Sequence, residues 1–173
     1  IGMSNFGCEQ MDYWMSHGEA VSNQVGYNLL FRAVEHEIIP MCQREHLGLM
    51  AYMPTMQGLL AGKYRRVEDI PMQRRRSRHF SCDREGTRHG EPGCEHLLFP
   101  ALERIGNIAQ EAGMSMAALS VAWLLHQPGV TTAVLGARKP DQLMANLAAA
   151  DVDLPADVLA ALEKTTQPIK DWI

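Results

Sequence analysis

A chain of 173 residues, 46% of them hydrophobic, has the length of one domain and enough apolar material to bury a sizeable core. Its formal charge of -4 is modest and its arginines are clustered locally, which argues against a broad basic surface for nucleic acid or a membrane. No apolar run approaches the ~20 residues of a spanning helix, and no secretion signal opens the chain, so a cytoplasmic protein is expected, with Cys8, Cys42, Cys82 and Cys94 as reduced thiols.

Short β-branched or apolar runs alternate with longer helical patterns, the order of βα units around a parallel sheet. The first unit opens with a strand tip at Ile1-Gly2-Met3-Ser4 and continues into a helix holding Met11, Trp14 and Met15. The second has a strand over Val21 to Val25 and a helix over Val34 to Arg44, where Val34, Ile38, Ile39 and Cys42 share a face; Pro40 inside it predicts a kink or a late start.

The third strand is Leu47 to Tyr52, closed by Met53-Pro54. From Lys63 to His96 the sequence is rich in Arg, Gly and Pro without a sustained period, which predicts a long irregular loop, functional or mobile. Leu98, Leu102, Ile105, Ala109 and Ala112 then mark an amphipathic helix ended by Gly113, and Ser115 caps a second helix over Met116 to His126 with Leu119, Ala122 and Trp123 inward.

The fourth strand is Thr131 to Leu135, entered through Pro128-Gly129. Pro140 suits the first turn of a helix over Asp141 to Ala149, and Leu154-Pro155 opens a last helix through Leu159 and Leu162. A closed parallel barrel takes about eight strands, so four such units leave two unpaired edges and a half-exposed core; the chain is expected to be incomplete or obligately partnered.

Several motifs then stand at the carboxyl ends of these strands. They are Ile1-Gly2-Met3-Ser4-Asn5-Phe6; Ser22-Asn23-Gln24 with Tyr27-Asn28; Ala51-Tyr52 with Gly58 to Tyr64; and Gly136-Ala137-Arg138 through Gln142 and Asn146. In this order and context the whole chain resembles the C-terminal half of an aldo-keto reductase. The resemblance implies an α/β fold of the TIM (β/α)8 barrel family, with residues 1–173 supplying about four βα units, strands five to eight. Strands one to four would be missing.

In that family, residues matching Ser4, Asn5 and Gln24 hydrogen-bond the nicotinamide carboxamide, which offers an acceptor and donors and so suits these three side chains. Tyr52 matches the aromatic that stacks on the nicotinamide ring. Taken alone, Ser-Asn after a strand reads as a turn or cap and Tyr52 as a core aromatic; the joint pattern favours the cofactor. Gly136 and Arg138 stand where a strand meets a helix N-terminus, a setting suited to an anion. By resemblance Arg138 and Gln142 meet the 2′-phosphate, Asn146 the adenine and Lys63 a phosphate, so NADP(H) is expected over NAD. The arginine run Arg74 to Arg78 resembles a loop near the cofactor phosphates in one bacterial-type subgroup. Two departures from the family pattern imply reduced cofactor affinity: Met53-Pro54-Thr55 lacks a hydroxyl that usually faces the pyrophosphate, and Ala145 replaces an acidic residue that holds the adenine amino group.

The resemblance implies NADP(H)-dependent reduction of a small aldehyde or ketone. The family's proton-transferring tyrosine, lysine, aspartate and histidine belong to the first half of the barrel, so no catalytic residue is assigned and the chain alone is expected to reduce no carbonyl. Tyr13, Tyr27 and Tyr64 do not replace them.

Competing readings are weaker on the residues. His79, Cys82, His89, Cys94 and His96 are good zinc ligands but show no standard spacing, and no metal is expected. The arginine run lacks the interleaved aromatics of a nucleic-acid site. A noncatalytic NADPH-binding or regulatory half barrel that pairs with another chain remains the alternative to an enzyme whose N-terminal half completes the barrel.

Overall fold

The computed structural model describes residues 1–173. Strand β1 (Gly2–Ser4) leads to helix α1 (Cys8–Met15), β2 (Ser22–Gly26) to α2 (Ile38–Arg44), and β3 (Gly48–Tyr52), through a long connection, to α3 (Glu95–Glu111) and α4 (Met116–Leu125); β4 (Val130–Val134) is followed by α5 (Pro140–Ala150) and α6 (Ala156–Lys170). The strands form one sheet in the order β1-β2-β3-β4, every pair parallel. Ser4 pairs with Gln24, Gln24 with Met50 and Gly26 with Tyr52, and a register shift at Leu49/Met50 brings Tyr52 level with Val134.

Period-two alternation decides which face is covered. Met3, Asn23, Val25, Leu49 and Ala51 are buried, while Ser4 is exposed and Gln24, Met50 and Tyr52 are half-buried on the opposite face. Parallel sheets ordinarily have both faces covered, so this second face is unusual in being open.

Local chemistry places the helices much as the pattern predicts. Ser115 Oγ accepts from Ala118 N at 3.1 Å to cap α4, Gly113 ends α3 with φ +67°, and Pro140 stands in the first turn of α5. The second strand lies one residue later than Val21 to Val25, at Ser22–Gly26. The segment from Val34 to Arg44 is a short 3₁₀ turn at Ala33–Glu35 followed by α2, with Pro40 in the first turn where its missing N–H breaks no bond.

The connection from Lys63 is not a bare loop. It carries 3₁₀ turns at Val67–Asp69 and Met72–Arg74, yields to α3 at Glu95, and contributes Val67, Ile70, Phe80 and Cys94 to the core. Arg84 clasps Glu95 with two contacts of 2.6 Å, and His79, fully buried, bonds Leu30 O at 2.7 Å and Ser77 Oγ at 3.1 Å. Buried anchors without helical or strand spacing leave no periodic signal, which is why the sequence reads as irregular there.

The largest core side chain, Trp123, meets Tyr27 edge-on at 5.6 Å between centroids and carries the Arg32 guanidinium 5.3 Å above its ring. Arg32 is buried and satisfied by Glu35 at 2.6 Å, Glu163 at 2.8 Å and Thr166 Oγ1 at 2.9 Å, while Lys170 reaches Glu35 at 2.7 Å. Burial works against the Glu35 charge, but hydrogen bonds from Arg32, Lys170 and Tyr27 more than offset it and hold its carboxyl down at about 2. Burial and the same carboxylate push the Tyr27 hydroxyl far up. This network ties the segment after β2 to α6.

Both sheet edges are open. Ile1 and Tyr13 are exposed on the β1 side, and Val134 with Leu143, Met144 and Leu147 of α5 on the β4 side.

Candidate cofactor site

Four of the expected residues meet at the carboxyl ends of the first three strands. Asn5 follows β1 in the left-handed region (φ 57°), which asparagine tolerates, and its N–H donates to Gln24 O at 2.8 Å. That turn is held from below by Asn23, buried, whose Nδ2 donates to Phe6 O at 2.9 Å. Asn23 carries no expected role in the sequence reading, yet it positions the backbone that presents Ser4 and Asn5.

From β3 the Tyr52 hydroxyl donates to Asn5 Oδ1 at 2.9 Å, and Asn5 Nδ2 donates to Ser4 Oγ at 3.3 Å. The tyrosine reaches across β2 because its register partner there is Gly26: a Cβ at that position would stand 3.3 Å from Tyr52 Cζ. Tyr52 therefore lies on the open face of the sheet and is not a core aromatic. Met53, the next residue, is also left-handed (φ 57°), and its carbonyl is fixed by Asn28 Nδ2 at 3.0 Å. Asn28 Oδ1 accepts from Leu30 N and Phe31 N, both at 3.0 Å, so one buried amide shapes two loops at once.

The remaining five expected residues, Lys63, Gly136, Arg138, Gln142 and Asn146, line one cavity of about 660 Å³ between the connection after β3 and the start of α5. Its wall includes Arg74 and no carboxylate. The Lys63 stem lies against Gly58, whose φ of +104° and missing Cβ allow that approach. Near the amino end of α5 the Arg138 N–H is bonded at 3.0 Å by Gln142 Oε1, an oxygen in the position an anionic ligand would take. Thr55 lines this cavity, so a hydroxyl-bearing side chain is present despite the Met53-Pro54-Thr55 departure; Ala145 lines it too, leaving the adenine side without an acid.

The arginine run borders two cavities. Arg74 donates to Gln57 O at 3.0 Å and contacts Tyr64 Oη at 2.6 Å, at the wall of this cavity. Arg76 and Arg78 line a second, adjoining cavity with Tyr52, and Arg74 lines both. Between Arg76 and Arg78 the chain is held by His89 Nε2, bonded to Ser77 O at 2.9 Å. His79 and Cys94 are buried apart from His96, and no three histidine, cysteine or acidic side chains converge in a metal-binding arrangement.

The aldo/keto reductase family model matches residues 1–167. The chain belongs to this family. It is 30% identical over 150 residues to the aldo-keto reductase YhdN of Bacillus subtilis (strain 168), covering 84% of this chain and 42% of that protein. It is 27% identical over 154 residues to the NADH-specific methylglyoxal reductase of Escherichia coli (strain K12), covering 89% and 44%. A crystal structure of a thermostable aldo-keto reductase, Tm1743, superposes with a TM-score of 0.65 over 95% of this chain and 47% of that one, at 21% identity. The fold is thus of the α/β TIM-barrel type, and the chain spans less than half the length of the relatives it matches.

Proposed function

We propose that this chain supplies the NADP(H)-binding wall of a carbonyl-reducing aldo-keto reductase, as strands five to eight of a barrel closed by four further βα units. The observation that carries the proposal is the continuous line from Asn5 and Tyr52 at one end to Lys63 and Arg138 at the other, bridged by Met53. Tyr52, bonded to the Asn5 amide, lines one cavity, and Lys63 and Arg138 line the adjoining one, an order that suits a dinucleotide.

When bound, the cofactor supplies a hydride for an aldehyde or ketone carbon. Ser4, Asn5 and Gln24 hold the carboxamide and so fix the rotation of the nicotinamide ring, while Tyr52 covers one of its faces. Gln142 releases the Arg138 N–H to a phosphate oxygen, and Arg138 with Lys63 neutralises the 2′-phosphate, which favours NADP(H) over NAD. The proton for the substrate oxygen comes from residues outside this chain. Titration with NADPH and NADH tests the cofactor reading, with preferential NADPH binding expected. The purified chain is expected to leave NADPH unoxidised with a broad aldehyde panel, and clear turnover would overturn the division of labour.

A second reading, a noncatalytic NADPH-binding half barrel that pairs with another chain, draws on the exposed apolar side chains flanking both sheet edges. A stable self-associated dimer with no further barrel strands supports it; a monomer, or a longer parent chain, supports the enzyme.

A further inference from the structure

The second cavity, about 580 Å³, lies beside the first and shares Met53, Gln57 and Arg74 with it. Its lining brings together Tyr52, Phe31, Arg76, Arg78, Arg88 and His89, and it contains no aspartate or glutamate. Every ion pair in the chain uses other side chains, so Arg76, Arg78 and Arg88 have no carboxylate partner. These three arginines come from two parts of the connection after β3, and Ile173 lines the same cavity.

All three are exposed, so water screens their mutual repulsion, yet three guanidinium groups without carboxylate partners around one concavity make it locally attractive to an anion in a chain whose net charge is -4. Arg44, Arg66, Arg84 and Arg32 all find carboxylates, which shows that acidic partners are available elsewhere in the fold. The fork of a guanidinium matches two oxygens of a phosphate or carboxylate, and several such forks around a cavity of ligand size make a selective oxyanion anchor. Tyr52 gives the cavity its direction: an anion held by Arg76, Arg78 and Arg88 leaves the rest of the same molecule facing the aromatic that, under the proposed function, marks the nicotinamide end.

We infer that this cavity is a substrate-anchoring subsite for a small aldehyde or ketone bearing a phosphate or carboxylate, with Arg76, Arg78 and Arg88 gripping the oxyanion. The inference rests on the proposed cofactor site for its orientation and on the cavity alone for its affinity.

Calorimetric titration of the full chain, with and without saturating NADP+, tests it. The probes are glycolaldehyde phosphate, glyoxylate, uncharged glycolaldehyde, inorganic phosphate and NADPH, each against the wild type, Arg138→Ala and the double variant Arg78→Ala/Arg88→Ala. Both mutated arginines of the double variant are exposed and outside the buried core, and circular dichroism of the variant checks that its fold is kept. Glycolaldehyde phosphate or glyoxylate is expected to bind more tightly than glycolaldehyde and inorganic phosphate, the better of the two identifying the oxyanion. The double variant is expected to weaken that probe at least tenfold while leaving NADPH within twofold. Loss of NADPH binding in the double variant would assign the arginines to the cofactor and overturn the inference. So would inorganic phosphate binding as tightly as glycolaldehyde phosphate, or no binding of either anionic carbonyl. If the wild type binds an anionic carbonyl but no NADPH, the anchor stands and the cofactor reading fails; if Arg138→Ala weakens NADPH alone, both stand as separate sites.

Discussion

The Tyr52 hydroxyl donates to Asn5 Oδ1 at 2.9 Å across an intervening strand, over Gly26. Side chains 47 residues apart thereby form the floor of the candidate nicotinamide site before any ligand arrives. Such preorganisation lowers the ordering cost of binding.

Tyr52→Phe removes one hydrogen bond between accessible groups and keeps the ring, so NADPH affinity is expected to fall no more than about fivefold, or about 1 kcal/mol. Tyr52→Ala removes the stacking surface and is expected to cost tenfold or more. Gly26→Val places branched carbons against Tyr52 and is expected to resemble the alanine variant, although residue 26 lies beneath the ring. Fluorescence titration of NADPH checks the order; equal affinities for Tyr52→Ala and wild type would remove Tyr52 from the site.

Arg138→Ala is expected to weaken NADPH by tenfold or more, in line with roughly 1.5–3 kcal/mol for a charge-assisted bond, and to change NADH by less than threefold. The measured quantity is the ratio of the two dissociation constants. A parallel loss for both cofactors would mean that Arg138 does not read the 2′-phosphate.

Glu35→Ala leaves Arg32 buried with only the half-exposed Glu163 as a carboxylate partner. A loss of about 3 kcal/mol in unfolding free energy is expected, the scale for breaking a buried pair from one side. Because the folded Glu35 carboxyl is held down at about 2, below its ordinary 4.5, its contribution is complete above about pH 4.5 and fades as pH falls toward 2. Urea unfolding as a function of pH should therefore show an acid-sensitive step between those values that the variant lacks.

His79 acts earlier in an acid titration. Burial lowers it from 6.5 to about 4, with the His89 charge adding to the effect and the bond to Leu30 O opposing it. Between those two pH values the unfolded chain takes up the proton and the folded one does not, so stability falls as pH drops from 6.5 to 4. His79→Gln is expected to flatten that part of the curve. An unchanged slope would show that His79 is not the group responsible.

Replacing Leu143 and Leu147 of α5 by lysine is expected to leave the buried core intact, since both side chains are more than half exposed (51% and 55%). Under the half-barrel reading it should suppress association at the β4 edge, read as a shift toward monomer in analytical ultracentrifugation. An unaltered association state would place the contact elsewhere.

Much of this was legible in the sequence because it is local. Period-two runs, the Ser115 cap, Gly113 and Pro140 act within a few residues, so they mark the four strands and the helices α3 to α6 directly. The candidate site residues stood out in the sequence because strand ends carry them and because their joint order resembles one family. Strand order, the coverage of a single sheet face, and the contact between Tyr52 and Asn5 depend on pairings between distant segments, and no short-range signal reports those. The same limit hid Asn23 and Asn28 as loop organisers, Arg32 as the centre of a buried network, and Ile70 and Phe80 as core anchors of the long connection. It also made Arg74 to Arg78 read as a run beside one site, whereas Arg74 lines two adjoining cavities and Arg76 and Arg78 line only the one with Tyr52, because a guanidinium's surroundings are set by the chain's path and not by its neighbours in sequence.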